Sequence, residues 1–234
     1  MKHLILFLLC TNLAFSQQTK YQLVFAKDKI TAKIIDSKNI VTSLTAPQTV
    51  EIKEMLEAIE MKVYKNQNEM LVDFLAYLKF EKENKNYFRG NYVRIEIPKL
   101  SKETLKILLV KSVVEINRFR KTQNLPKLLF NETLQEVAQD YADYCTKNNW
   151  RLLHSSKEGI SCFERIETKM PQYRGTENLY CGYGSPKETI ALLITSPDHL
   201  ANLKSDMQYV AVGVSQFADG SLVYAQNFAK ERPF

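Results

Sequence analysis

Apolar residues recur with helical spacing through much of the chain. Ile52, Met55, Leu56, Ile59 and Val63 share one face, and Leu71, Phe74, Leu75 and Leu78 share another behind a capping residue at Asn68. Leu105, Leu108, Leu109, Val113, Ile116 and Phe119 form a stripe on a helix that Ser101 caps. Leu134, Val137, Ala138, Tyr141, Ala142 and Cys145 form the buried side of a helix that starts at Asn131. Ser161–Glu164 and Ser185–Glu188 both have capping-box spacing, the second with Pro186 at the first helical position and Ile190, Leu193 and Ile194 as its apolar face. Ser196-Pro197 opens a further helical turn. Between these lie short β-rich runs: Tyr21–Ala26, Ile30–Ile35, Ile40–Leu44, Tyr92–Ile97 ended by Pro98, the glycine- and aromatic-rich stretch from Arg174 to Gly184, and Tyr209–Ser215 joined to Leu222–Phe228 through Asp219-Gly220, a hairpin signal. The pattern predicts an α/β layered domain over residues 101–234, preceded by a small α+β extension over residues 17–100 that carries no chemical motif.

The first 16 residues fit neither unit. Met-Lys-His leads into the apolar run Leu4–Leu9, and Ala14-Phe15-Ser16 matches the small-x-small pattern of a signal-peptidase site. The run is too short for a stable membrane span, so residues 1–16 read as a cleaved export signal. Leu9 before Cys10 disfavours acylation at that cysteine. The expected product begins at Gln17, is secreted or periplasmic, and has no membrane span.

Charge and cysteine content narrow the function classes further. The formal charge is +3 over residues 17–100 and +2 over residues 101–234, without a basic stripe interleaved with aromatics, so nucleic acid is not an expected partner. Cys145, Cys162 and Cys181 remain after the signal. Three cysteines allow at most one internal disulfide, which excludes a disulfide scaffold, and their spacings match no zinc pattern.

One residue breaks the apolar pattern. Glu177 lies inside the stretch Arg174–Gly184, where an unpaired carboxylate would be costly to bury and needs a partner. Beyond the signal the chain has two histidines, His154 after the long helix from Asn131 and His199 in the first turn of the helix opened at Ser196. Unpaired backbone N–H groups at a helix start disfavour imidazolium, which keeps His199 available as a base or metal ligand.

The order of these features resembles the bacterial branch of the CAP superfamily, the secreted SCP-like domains. The resemblance rests on Glu115–Arg120, Leu125-Pro126, the helix from Asn131, His154-Ser155, Gly175-Thr176-Glu177-Asn178-Leu179, Ser196–Leu203, Val212-Gly213-Val214 and Tyr224–Phe228, and covers roughly residues 105–230. It implies an α/β/α sandwich with a central antiparallel sheet and a cleft lined by histidines and acids. On that pattern His154, Glu177 and His199 are the cleft residues, converging within hydrogen-bond or one-water reach, with Asn178 and Tyr224 lining or supporting the cleft. Thr176, Asp198, Leu200 and Leu193 depart from the family's usual residues, and Tyr224 lies near where animal and plant members place a second cleft histidine. A zinc ion held by His154 and His199 is therefore left open. Cys162 and Cys181 flank the cleft loops and form the expected bridge if the chain has one.

Three functions fit this reading. The cleft binds a small molecule, lipid, or peptide or glycan such as a cell-wall fragment; or histidine and glutamate, with or without zinc, activate water in a hydrolase or protease; or the protein is structural, with a vestigial cleft. No serine elbow, zincin helix or cysteine–histidine signature supports a standard hydrolase. Ligand binding is the expected role.

Overall fold

The computed structural model describes residues 20–26, 32–60, 64–84, 87 and 98–233. The export signal, Ile30, the Tyr92–Ile97 run and Val63 lie outside these residues, as does the side chain of Ile59. In chain order the elements are β1 (Tyr21–Phe25), β2 (Ala32–Asp36), β3 (Val41–Leu44), α1 (Ala46–Glu60), α2 (Gln67–Glu83), α3 (Lys102–Thr122), β4 (Leu129–Phe130), α4 (Glu132–Asn148), α5 (Cys162–Lys169), β5 (Tyr173–Gly182), α6 (Pro186–Leu193), α7 (Pro197–Lys204), β6 (Tyr209–Gln216) and β7 (Leu222–Glu231).

The central sheet has the order β4-β6-β7-β5. Strands β6, β7 and β5 are antiparallel, and the two-residue β4 pairs in parallel with β6. Period-two alternation splits its side chains between two helical layers. Val210, Val212, Val214, Leu222, Tyr224 and Phe228 join the core that contains α3 and α6. Ala211 and Ala229 pack with Leu134, Val137, Ala138 and Ile166 of α4 and α5, while Val223, Ala225 and Leu179 pack with Tyr141, Ala142 and Cys145. The result is an α/β/α sandwich.

Local chemistry sets the helix starts. Asn131 accepts from Leu134 N–H at 2.9 Å, and all six apolar positions assigned to α4 are buried. Each such burial contributes roughly 1.5–3 kcal/mol for a Leu or Val side chain. Both capping boxes form, at Ser161 with Glu164 and at Ser185 with Glu188. Helix α2 starts earlier than its pattern suggests: Asn66, in extended conformation, caps it through Glu69 N–H at 2.9 Å. Asn68 instead accepts from Tyr21 N–H at 2.8 Å and ties α2 to β1.

The extension forms a three-stranded antiparallel sheet, β1-β2-β3, with α1 and α2. Its Ile34, Ile52, Met55 and Phe74 share one apolar cluster with Val113 and Ile116 of α3. Cations of α3 meet acids of the extension: Lys106 with Glu69 at 2.7 Å, Lys111 with Glu51, and Arg118 with Glu54.

Two glycines let helices approach the sheet. A Cβ at Gly213 would overlap the Ala138 carbonyl, so α4 crosses β6 at a position no other residue fits. At Gly175 a Cβ would meet the Ile166 side chain of α5 and the Phe228 carbonyl. Cys145, Cys162 and Cys181 are free thiols. The expected Cys162–Cys181 bridge is not formed: Cys181 packs on the cluster that contains Cys145, while Cys162 starts α5.

Candidate functional site

Strand β5 is an edge strand, bonded to β7 on one side, and Glu177 sits in its middle opposite Asn227. Its side chain is 0% exposed. Two groups satisfy it: His154 Nδ1 lies 3.0 Å from Oε1, and Arg165 Nη2 donates to Oε2 at 2.8 Å. The carboxylate paired with Arg165 can only accept, so Nδ1 donates and Nε2 is left as an acceptor. The expected imidazole partner is present; the guanidinium is an addition that the sequence pattern does not announce. Helix α5 puts Arg165 beside buried Ile166 and lays its guanidinium carbon 3.4 Å from the centre of the Tyr141 ring. A buried acid requires a cation, and that requirement points to Arg165 as much as to the histidines.

The loop that carries His154 is held from several sides. Asn149 ends α4 in the left-handed conformation, and Trp150 N–H donates to the Cys145 carbonyl at 2.8 Å. Trp150 Nε1 donates to the Ser155 carbonyl at 2.7 Å, Tyr141 donates to the Leu153 carbonyl, and Arg165 Nη1 donates to the His154 carbonyl at 3.0 Å. Leu152 is held at φ +53°, a conformation that costs a bulky residue on the order of 1 kcal/mol. Such strain persists only where the surroundings impose it.

On the opposite face of β5, Asn178 is buried and donates to the His199 carbonyl at 3.1 Å. Asn202 donates to Asn178 Oδ1 at 2.8 Å and accepts from Thr176 at 3.0 Å. Thr176 therefore helps to fasten α7 to β5. These contacts bring the His199 ring to 6.5 Å from that of His154, centre to centre, at the outer edge of β5. Burial lowers the His199 pKa, the neighbouring His154 lowers it further, and Asp198 opposes them. The direction is the one expected for a histidine at a helix start, but burial and His154 carry it.

Tyr224 does not line this site. Glu177 pairs with Asn227, three residues from Tyr224, and an odd separation on a strand reverses the face. Tyr224 is fully buried in the α3 layer against Tyr180, with ring centres 6.0 Å apart. Asn178 supports the site from beneath without being exposed in it.

A zinc ion would draw on His154 and His199, with Glu177 as the remaining acid. Both Glu177 oxygens are committed to His154 and Arg165. Among the described residues no group of three or more His, Cys, Asp or Glu could hold a metal. The residues present do not fit a zinc centre. A concavity of about 840 Å³ between α3 and α4, lined by Leu105, Leu109, Phe130 and Val214 among others, does not include either imidazole.

This fold and site define a class. Residues 113–228 match CAP, the cysteine-rich secretory protein family, and this part of the chain belongs to the CAP superfamily. Among solved structures, an outer surface protein from Borrelia burgdorferi is similar with a TM-score of 0.50 and 25% identity, over 58% of this chain and 100% of that one. An extracellular protein containing a SCP domain from Bacillus anthracis aligns at 20% identity and a TM-score of 0.49, over 57% of this chain and 45% of its own. No curated protein matches the chain. Among the described residues no helix is long and apolar enough to cross a membrane.

Proposed function

We propose that the protein is exported and that the edge of β5 binds a ligand outside the cytoplasm through His154 and His199. The observation that carries this reading is the treatment of the two imidazoles. Each is held by its own backbone or Nδ1, and neither the His199 ring nor His154 Nε2 has a hydrogen-bond partner among the described residues. His154 is exposed and His199 half-buried, so these nitrogens are open to a ligand from solvent. Two neighbouring acceptors that become donors on protonation suit hydroxyl, amide or anionic groups of a polar small molecule, a lipid headgroup, a peptide or a cell-wall glycan. The N-terminal export pattern and the similarity to an outer surface protein of Borrelia burgdorferi support an extracytoplasmic setting.

A hydrolase is the second reading, since the carboxylate-held imidazole leaves Nε2 oriented as a general base. No hydroxyl or thiol is bonded to Nε2 among the described residues, so water would be the nucleophile. Mass spectrometry of compounds that co-purify with the exported protein tests the binding reading against a His154→Ala/His199→Ala variant. A compound retained by the wild type and lost from the variant is expected; equal retention by both contradicts the reading.

A further inference from the structure

The face of the sheet under α4 and α5 is not uniformly apolar. One cluster contains Ala211, Ala229, Ala138 and Ile166, and a second contains Ala225, Leu179, Tyr141 and Cys145. Between them runs a polar row made by Glu177 on β5 and Asn227 beside it on β7. Directly paired residues of an antiparallel ladder place their Cβ atoms about 4.5–5.5 Å apart on the same face. Asn227 is 0% exposed, and neither its Nδ2 nor its Oδ1 has a partner among the described residues. Arg165 Nε, the guanidinium nitrogen that takes no part in the bonds to Glu177 and the loop carbonyls, is buried and unpartnered as well.

Glu177 is the cross-strand partner of Asn227 on this face and its carboxylate is bonded to Arg165, so the register directs the Asn227 amide toward that carboxylate and guanidinium. Buried amides and guanidinium N–H groups are almost always hydrogen-bonded to protein or to ordered water. The neighbours of Asn227 are small: Ala211 pairs with it on β6, and Ala225 and Ala229 flank it on its own strand at the same face. A site of this kind, polar and bounded by small side chains, suits a single water with two to four partners.

We propose that Asn227 is a positioning residue for the His154 site: through one ordered water shared with Arg165 Nε it holds the inner side of the Glu177 carboxylate, which in turn fixes the imidazole. Asn227 Oδ1 accepts from the water, Arg165 Nε donates to it, and the water's second hydrogen is directed at the carboxylate. The effect is a carboxylate bonded from three directions, by His154, Arg165 and water, and held in one orientation. The functional meaning rests on the proposed role of His154 in binding, but the geometry does not require a ligand.

The test is nitrogen-15 NMR of the two imidazoles in the purified protein, which reports which ring nitrogen carries the proton without any ligand present. In the wild type His154 is expected as the Nδ1–H form. Asn227→Leu keeps the side-chain volume and removes the amide, so the His154 signals should move toward a mixture of tautomers while those of His199 change much less. Asn227→Ser, which retains a polar group and leaves room for water, should restore most of the Nδ1–H form. An unchanged His154 tautomer in folded Asn227→Leu overturns the proposal and leaves Asn227 a purely structural residue. If Asn227→Leu does not fold, the serine variant and a high-resolution crystal structure of the wild type decide: a water bonded to Asn227 and Arg165 Nε supports the proposal, and an amide bonded only to protein overturns it. Because no ligand enters the measurement, a negative result here is separable from failure of the binding reading.

Discussion

Replacing Arg165 by Met keeps an unbranched apolar stem and removes the guanidinium. Glu177, with a side chain 0% exposed, then loses its donor at Oε2. The His154 carbonyl loses its donor at 3.0 Å, the Ile160 carbonyl keeps only the Ser156 N–H of its two donors, and the Tyr141 ring loses its cation. Removing one partner of a buried pair costs about 3–5 kcal/mol, chiefly because the other charge is left uncompensated. For a chain of this size that corresponds to a fall of roughly 6–20 °C in Tm. The cost should shrink when Glu177→Gln is added, so that the double variant is more stable than Arg165→Met alone. Denaturant unfolding of the four proteins in a double-mutant cycle provides the coupling. Strictly additive effects, or a double variant less stable than Arg165→Met, would refute the placement of a charged pair beneath His154.

Other outcomes follow from particular contacts. His154→Ala removes the neighbour that lowers the His199 pKa, so the His199 titration midpoint followed by proton NMR should rise; no change would mean the rings do not sense each other. Burial pushes the Cys145 thiol up to about 12 and the Cys162 thiol up to about 11. Cysteine thiols ionise near pH 8.5 in an unfolded chain, so the stability these two contribute is complete below that pH and is lost as the pH rises through the raised folded-state values; denaturant midpoints at about pH 7 and about pH 9.5 should show the decline, and Cys→Ala variants should reduce it. Gly213→Ala forces a Cβ into the Ala138 carbonyl and should cost at least about 1–3 kcal/mol as overpacking, measured by thermal unfolding. Intact mass of the exported chain should correspond to a start at Gln17 without an acyl group.

Much of the fold is legible in the sequence because local signals and burial agree. Helix α4 shows this best: a cap at Asn131 and six apolar positions at helical spacing specify both its start and its buried face. The two capping boxes are legible for the same reason, since their hydrogen bonds close within four residues. Asn68 misleads because two asparagines stand within reach of the same helix, and the choice of Asn66 depends on where β1 needs a side-chain acceptor. Tyr224 is misplaced by a motif read without its register, because only the pairing of Glu177 with Asn227 shows which face each residue takes. Arg165 escapes notice because its place opposite Glu177 is set by the packing of α5 on β5, a contact that sequence spacing does not encode. The disulfide expectation fails on the same ground: proximity of Cys162 and Cys181 to one cleft does not set their separation.

His154 and His199 are proposed to act as one ligand-facing pair at the edge of β5. The most direct measurement is a long-range proton–nitrogen NMR spectrum of the protein, recorded as purified and again after solvent extraction of bound compounds. The signals of both imidazoles should change on extraction and return when the extracted material is added back. Two imidazole signals that stay the same through extraction and return, while a compound is demonstrably removed and restored, would contradict it.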